Sequence, residues 1–247
     1  MIDNLIFRCH SLGDLMGAKG LGLTGEKRAI HSYIEMFENR TSEIKSKYLE
    51  KGIFNESEAI TLVNDVLQSN FTKNEVRMAN DLITGECDIE DSNEIVDVKC
   101  SWDRFTFLDS FSGGGKNYEW QLRGYMQLYE KPKASVIYCL TDKPDHMMKK
   151  ELERAADKYN GDLPDTIMIQ MVINSFFDRD NFNLFLQEIP IDLKDSYVQR
   201  AIDNFVHIPK ENRIKRFQFD YSESTNAKIG ERVNDARNYL KTIFNES

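Results

Sequence analysis

The chain has few of the residues on which zinc and thiol sites are built. Its 247 residues include only four cysteines and four histidines. The cysteines, Cys9, Cys87, Cys100 and Cys139, show neither CxxC pairing nor the spacing of a zinc site, and no two histidines form a close pair. These absences argue against a structural zinc site, a histidine-based metal site and a Cys–His nucleophile.

The chain also lacks long apolar runs. Nothing in it approaches the roughly 18 consecutive apolar residues that a membrane span needs. The start, Met1–Asn4, has neither the basic region nor the apolar stretch of a signal peptide. We therefore expect no membrane association and a cytoplasmic location, with one domain over residues 1–247.

Positive charge is in deficit overall, because 41 acidic residues face 32 lysines and arginines and the net charge is −9. An acidic protein repels duplex DNA at long range. The basic residues nevertheless fall into two groups along the chain. They are Lys45, Lys47, Lys51, Lys116, Arg123, Lys131 and Lys133, and then Lys210, Arg213, Lys215 and Arg216. The groups are compatible with a positive groove on an acidic body or with solvated surface.

Strands and helices alternate in the pattern of hydrophobic residues. The polar turn Asp91–Asn93 separates two apolar-leaning runs, Thr84–Ile89 and Glu94–Cys100, which predicts a β-hairpin over about 82–100. Further predicted helices are Thr24–Phe37, Thr41–Tyr48, Asp192–Phe205 and Thr225–Ile243, and further predicted strands are Ala134–Leu140, Ile167–Ile173 and Asn183–Ile189. This order predicts an α/β fold with a mixed central sheet flanked by helices.

The predicted hairpin carries two acids and a lysine. Asp97 and Lys99 are two residues apart on a strand, so both project from one face while Val98 points the other way. Asp88 lies on the first arm. Holding these charges together is costly unless something binds them, and a hard divalent cation beside a phosphate would do so.

A predicted helix upstream places a carboxylate on its apolar face. Asn55 is the expected N-cap, Glu58 the expected partner in a capping box, and the helix is expected to reach about Gln68. Glu56 shares a stripe with Ile60, Val63 and Leu67. An unpaired inward carboxylate would be strongly destabilising, so Glu56 is either a site residue or a side chain that reaches solvent from the helix start.

A third segment, residues 118–129, predicts an amphipathic helix on which Gln121 and Tyr125 share a side at i and i+4. The segment follows the hairpin in the chain. Gln121 and Tyr125 either belong to the site or, for Tyr125, simply pack in the core.

Together these segments resemble a nuclease superfamily. Asp88 followed by Asp97-Val98-Lys99 resembles the PD-(D/E)XK signature. Gly52-x-x-x-Glu56 is similar to the first motif of the lambda-exonuclease and YqaJ-like branch, and Gln121-x-x-x-Tyr125 to the QxxxY motif of RecB-like and lambda-like exonucleases. The three motifs come in the family's order within residues 52–125. The resemblance implies a restriction-endonuclease-like core.

The resemblance also assigns roles at the site. It implies Mg²⁺, replaceable by Mn²⁺, on Asp88, Asp97 and the backbone carbonyl of Val98, with Glu56 completing the ligand shell. Lys99 would orient the attacking water and offset charge in the transition state. By the same resemblance, Gln121 and Tyr125 would brace the site and contact the substrate strand.

Two further features follow from the resemblance. Arg8 and Ser11 are similar to the short Arg/Ser motif with which lambda-like exonucleases hold a terminal phosphate, a task suited to arginine; an ordinary helix cap is the alternative. Some RecB-like relatives carry an iron–sulfur cluster on one upstream and three C-terminal cysteines. No cysteine follows Cys139, so we expect no such cluster.

The implied activity is metal-dependent hydrolysis of DNA from duplex ends, 5′→3′, in phage-type recombination or DNA repair. The family implies a homo-oligomer such as a ring-shaped trimer, a single-strand-annealing partner protein and, if a phage encodes the chain, the host cytoplasm. An endonuclease on the same fold is one alternative. A non-catalytic module that binds DNA ends is another, although the intact Glu56, Asp88, Asp97 and Lys99 argue against it.

Overall fold

The computed structural model describes residues 1–41 and 46–244, and within them it has seven strands and ten α-helices. The strands are β1 (Phe7–Arg8), β2 (Met78–Ala79), β3 (Ile83–Gly85), β4 (Ile89–Glu90), β5 (Glu94–Cys100), β6 (Lys133–Cys139) and β7 (Ile214–Asp220). The helices are α1 (Leu12–Leu15), α2 (Gly22–Phe37), α3 (Lys47–Leu67), α4 (Arg104–Gly113), α5 (Glu119–Leu128), α6 (Asp145–Asp157), α7 (Asp165–Ile173), α8 (Arg179–Leu186), α9 (Ser196–Asp203) and α10 (Glu223–Phe244).

Two mixed sheets form the centre of the fold, as the predicted α/β class requires. The larger has the order β4-β5-β6-β7, in which β5 and β6 are parallel and both outer pairs are antiparallel. The smaller has the order β1-β3-β2, with β1 parallel and β2 antiparallel to β3. The predicted strand Ala134–Leu140 is confirmed as β6.

Helices cover both faces of the larger sheet, because side chains alternate along its central strands. On one face Ile95, Val136 and Tyr138 join the main core with α5 and α10. On the other face Val96 and Val98 pack against α3. Asp97 and Lys99 therefore belong to the α5 face, next to the main core.

The helix that carries Glu56 is longer than the sequence predicts. It begins at Lys47, where the Ser46 hydroxyl accepts a hydrogen bond from the Tyr48 amide at 3.3 Å. The predicted N-cap at Asn55 and its capping box with Glu58 are wrong, because both residues lie within α3. The buried Asn55 amide instead donates to Thr141 Oγ1 at 2.8 Å and to the Asp142 carbonyl at 2.7 Å.

The predicted hairpin is divided between the two sheets. Ile83–Gly85 pairs with β1 and β2, and only Ile89–Glu90 pairs with β5. Residues 86–88, between these two segments, belong to no strand. The Asp88 carbonyl accepts a hydrogen bond from the Asn74 N–H at 2.7 Å instead of pairing with a neighbouring strand. Asp88 therefore lies at the junction of the two sheets rather than within a regular strand.

Two predicted strands in the C-terminal half are wrong. Residues 167–173 and 183–189 fall mainly in helices α7 and α8. The Asp178 side chain caps α8 by accepting from the amides of Asp180 and Asn181, at 2.9 and 3.3 Å. Helices α6 to α9 share an apolar cluster of their own, which buries residues such as Phe182 and Phe185.

The remaining predicted helices correspond to α2, α9 and α10, with α9 shorter than expected. The predicted helix Thr41–Tyr48 includes residues 42–45, which lie outside the described residues, while its last two residues belong to α3. Among the described helices, none is both long enough and apolar enough to cross a membrane.

Candidate active site

A carboxylate and an ammonium group meet at the centre of the larger sheet. Asp97 is 1% exposed, and its Oδ2 lies 2.5 Å from Nζ of Lys99. Parallel pairing with β6 fixes the strand, placing Asp97 opposite Val136. On Asp97, Oδ1 accepts a hydrogen bond from Gln121 Nε2 at 3.1 Å. Of the predicted site residues, Lys99 and Gln121 are therefore in direct contact with Asp97.

Asp88 reaches the same point from the junction of the sheets. Its Oδ2 accepts the Val98 N–H at 2.7 Å, between Asp97 and Lys99 in the chain. Burial and the neighbouring charge of Asp97 raise the pKa of Asp88 to about 7, and Lys99 offsets only part of this effect. A second negative charge beside Asp97 is therefore unfavourable in the folded protein, even with Lys99 present.

Lys99 keeps its charge in this setting. Burial alone would lower the pKa of Lys99, but the carboxylates of Asp97 and Asp88 raise it above the ordinary lysine range. The ammonium group also lies 4.9 Å from the centre of the Tyr118 ring, over its face. Tyr118 is a neighbour that the motifs did not indicate.

The donor set fits a hard divalent cation. Asp97 Oδ2 is buried, and among the described residues its one polar partner is the ammonium group of Lys99, 2.5 Å away, so one of its two lone pairs is free. A buried carboxylate oxygen with a free lone pair, next to a second carboxyl group with a raised pKa, is the arrangement that such a cation stabilises. No three acidic, histidine or cysteine side chains of the described chain converge in this way, so Asp88 and Asp97 would be the core ligands.

Glu56 is close to this pair but is itself occupied. Its carboxylate lies 3.0 Å from Nζ of Lys73, and its charge contributes to the raised pKa of Asp88. The inward carboxylate is thus paired, by a lysine that sequence reasoning missed. The segment around Lys73 is tied to the site by Asn74, whose side-chain amide donates to the Cys87 carbonyl at 3.0 Å.

Gln121 and Tyr125 form a second layer around Asp97. Gln121 Nε2 also lies 3.0 Å from the Tyr125 hydroxyl, and both side chains are buried. The Tyr125 ring packs so closely on Gly85 that a Cβ there would lie 2.6 Å from it. The two side chains therefore brace Asp97, while their contact with a substrate strand stays a prediction.

Arg8 and Ser11 lie at a neighbouring cleft. The Ser11 hydroxyl donates to the Arg8 carbonyl at 2.7 Å, and the Arg8 side chain is exposed. Both line a cleft of about 260 Å³ together with His10 and Arg28. Burial and these arginines lower the pKa of His10, and Lys99 adds to the effect, so the cleft lies within electrostatic reach of the carboxylate site.

The two basic groups do not form an open positive surface, because most of their described members are paired with acids. The pairs are Lys47–Glu151, Arg123–Glu119, Lys131–Glu90, Lys210–Asp65, Arg213–Asp178 and Arg216–Glu94. Lys51 is fully buried, which excludes the role of a surface contact, and Lys45 lies outside the described residues. Three other members, Lys116, Lys133 and Lys215, have no ion-pair partner among the described residues.

Solved structures show that the whole chain follows a known architecture. It is similar to a phage-related exonuclease from Haemophilus somnus 129PT, with 25% sequence identity, a TM-score of 0.67, and coverage of 98% of this chain and 96% of that one. It also matches an alkaline exonuclease from Laribacter hongkongensis at 10% identity and a TM-score of 0.57, covering 99% and 95% of the two chains. That enzyme has also been solved in complex with dAMP, with the same degree of similarity to this chain.

No protein-family model matches the chain, and a search of curated proteins finds no relative. The structural matches extend over nearly the full length of both partners. The resemblance inferred from those motifs is therefore confirmed at the level of the whole fold.

Proposed function

We propose that this chain, which has the lambda-exonuclease-like fold of the PD-(D/E)XK nucleases, is a metal-dependent exonuclease acting on the ends of double-stranded DNA. The observation that carries the proposal is the convergence of Asp88, Asp97 and Lys99 around a buried carboxylate oxygen of Asp97, whose one polar partner among the described residues is the Lys99 ammonium group. The exonucleases that share its fold support the reaction class.

Asp88, Asp97 and the Val98 carbonyl would hold the cation, with Glu56 contributing once Lys73 moves from it. A bound Mg²⁺, or Mn²⁺ in its place, supplies an activated water and neutralises phosphate oxygens. The Val98 amide keeps Asp88 in position by donating to Oδ2 at 2.7 Å.

Lys99 would act on the scissile phosphate. Its ammonium group stays charged beside Asp97, so it can orient the attacking water and offset the charge that develops in the transition state. Gln121 would keep the Asp97 carboxylate oriented by donating to Oδ1. Neither residue has to gain or lose a proton for these tasks.

The cleft that Arg8 and Ser11 line would take the terminal phosphate. An arginine can hold a phosphate through two parallel hydrogen bonds, and Arg8 is the exposed arginine of this cleft, since Arg28 pairs with Asp14 at 2.8 Å. Capture of a 5′ phosphate there would set 5′→3′ polarity. We further propose a phage-type role in recombination or repair with a single-strand-annealing protein, a homo-oligomer such as a trimer, and a cytoplasmic location.

The test uses 5′-labelled linear duplex and a covalently closed circular plasmid, in Mg²⁺ or in EDTA. We expect metal-dependent loss of the linear DNA only, and for Lys99→Ala a rate lower by about 10²–10³-fold. Thermal unfolding of the variant checks that it is folded. Cutting of the circle would make the protein an endonuclease, and no cleavage in Mg²⁺ or Mn²⁺ would leave DNA-end binding as its function.

A further inference from the structure

A second, larger cleft takes no part in the proposed chemistry. It measures about 750 Å³ and is formed by the N-terminal part of α3 and by α6. Helix α3 also carries Glu56, so the cleft is attached to the same element as the candidate active site. Its lining combines positive charge with exposed apolar surface.

The α6 wall supplies the positive charge. His146, Lys150 and Arg154 follow one another at i, i+4 and i+8, which aligns them along one side of the helix. All three are exposed, and within the described residues neither Lys150 nor Arg154 has an ion-pair partner. Lys47 adds a fourth basic residue to the lining, against one acid, Glu50. Within the described part of the chain, Lys150 and Arg154 are therefore unpaired cations at this cleft, whereas Lys47 lies 3.8 Å from a carboxylate oxygen of Glu151.

The α3 wall supplies the apolar surface. Ile53 is 68% exposed and Phe54 is 62% exposed, with Leu49 beside them one turn earlier. The Phe54 ring lies 4.6 Å from the imidazole of His146 across the cleft. Large apolar side chains gathered on the rim of a cleft mark a surface that binds something.

Aromatic side chains continue from the cleft towards the catalytic strand. Trp102 follows β5 by two residues, and its ring centre lies 4.4 Å from Nζ of Lys47 and 5.1 Å from the ring centre of Tyr48. Lys47 and Tyr48 are the first residues of α3. The cleft and the end of β5 are therefore joined by a line of rings and ammonium groups.

We propose that the cleft between α3 and α6 binds single-stranded DNA, namely the strand that remains after its complement has been digested. Non-specific single-strand sites combine a positive track for the phosphates with aromatic rings on which bases stack. The aligned cations of α6 and the rings of Phe54, Tyr48 and Trp102 provide both. A base-paired duplex would not offer its ring faces to these side chains. The inference rests on the proposed function for the source of the strand.

The experiment measures binding of a fluorescein-labelled oligothymidylate to the full chain in EDTA, where no cleavage occurs. We expect Lys150→Glu with Arg154→Glu to weaken binding at least about tenfold at low salt and to reduce the salt slope by about 1.4, for two phosphate contacts. Phe54→Ala should weaken binding by about 5- to 100-fold through lost stacking. The matched control is Tyr197→Ala with Arg200→Glu, an exposed ring and cation on α9 outside the cleft.

Equal binding by the wild type and the cleft variants would overturn the inference, as would a wild type that does not bind the oligonucleotide. Digestion of a short linear duplex in Mg²⁺ is measured in parallel. If the wild type does not digest the duplex, the proposed nuclease function fails, independently of the result of the binding experiment. Sedimentation of each variant completes the test. A change of molar mass in the cleft variants would identify the cleft as a contact between copies of the chain and would also overturn the proposal.

Discussion

Two lysines approach the carboxyl end of β5, and their surroundings differ in one respect. Lys51 is 0% exposed, and its Nζ donates to the carbonyls of Ser101, Trp102 and Thr141, at 2.7, 3.1 and 2.8 Å. These acceptors are uncharged, and burial lowers the pKa of Lys51 to about 8.

Lys99 instead faces the carboxylates of Asp97 and Asp88, which raise the pKa of Lys99, while burial and the charge of Asp97 raise the pKa of Asp88. The ammonium group of Lys51 donates only to uncharged carbonyls of the protein. We propose that the carboxylates around Lys99, in contrast, take a further cation. This difference separates a lysine that holds the fold from one that is available for chemistry.

The largest effect should come from removing one of the two carboxylates that face Lys99. Asp88→Asn removes a proposed ligand, so the rate of duplex digestion should fall by more than about 10³-fold, beyond the effect of losing one electrostatic contact. Single-turnover cleavage in Mg²⁺ measures it. The variant should remain at least as stable as the wild type in EDTA, because the ionised Asp88 is held at a cost.

The same variant tests the pH dependence of stability. The folded chain keeps the Asp88 proton up to a pKa of about 7, against a usual value of 3.8. The folded state therefore binds more protons than the unfolded state between these values, and Asp88 makes stability fall as pH rises from about 4 to about 7. Urea unfolding in EDTA should show a shallower decline for Asp88→Asn. An unchanged decline would contradict the assignment.

A smaller effect, on stability instead of activity, is expected at Lys51. Lys51→Met fills the space but leaves three carbonyls without their donor, so the free energy of unfolding should fall by about 3 kcal/mol or more. Urea unfolding measures it, and digestion per folded molecule should be unchanged. Lys149→Met is the control, because it breaks an exposed pair with Glu188 that contributes only about 0–1 kcal/mol. If Lys51→Met lost activity without losing stability, Lys51 would take part in the chemistry, and its contrast with Lys99 would be wrong.

The smallest effect should come from replacing Lys73, whose ammonium group pairs with the Glu56 carboxylate near Asp88. Lys73→Met frees the Glu56 carboxylate beside Asp88, so Mn²⁺ should bind the metal-free protein about 2- to 5-fold more tightly, as expected for a partly exposed ion pair. Titration calorimetry at fixed ionic strength measures it, with Lys149→Met again as the control. Weaker binding in Lys73→Met would mean that Lys73 supports the site instead of competing for it.

Sequence reasoning gave the relative placement of side chains correctly where that placement depends on local spacing. Asp97 and Lys99 share a face because a strand alternates, and Gln121 and Tyr125 share a side because a helix repeats. Lys73 and Lys51 could not be found in this way. Their partners, Glu56 for one and the carbonyls beyond β5 and β6 for the other, are distant along the chain or carry no side-chain signal.

The errors in the predicted fold have the same cause, namely contacts between residues distant in the chain. Residues 167–173 are rich in Ile, Met and Val and resemble a strand, but packing among α6 to α9 makes them a helix that is apolar on several sides. The second predicted strand, Asn183–Ile189, is likewise mostly helical, because Asp178 caps α8 by accepting from the amides of Asp180 and Asn181. Short apolar runs do not distinguish the two structures without their tertiary neighbours.

The strand order has a consequence for the time at which the protein becomes active during synthesis. Strand β5, with Asp97 and Lys99, is parallel to β6, and β6 is completed on its other edge only by Ile214–Asp220. Arg216 of that strand also pairs with Glu94 at the start of β5. A ribosome must therefore synthesise the chain through residue 220 before the larger sheet can close. The neighbourhood of the proposed site is thus completed by a segment made more than a hundred residues after Asp97 and Lys99.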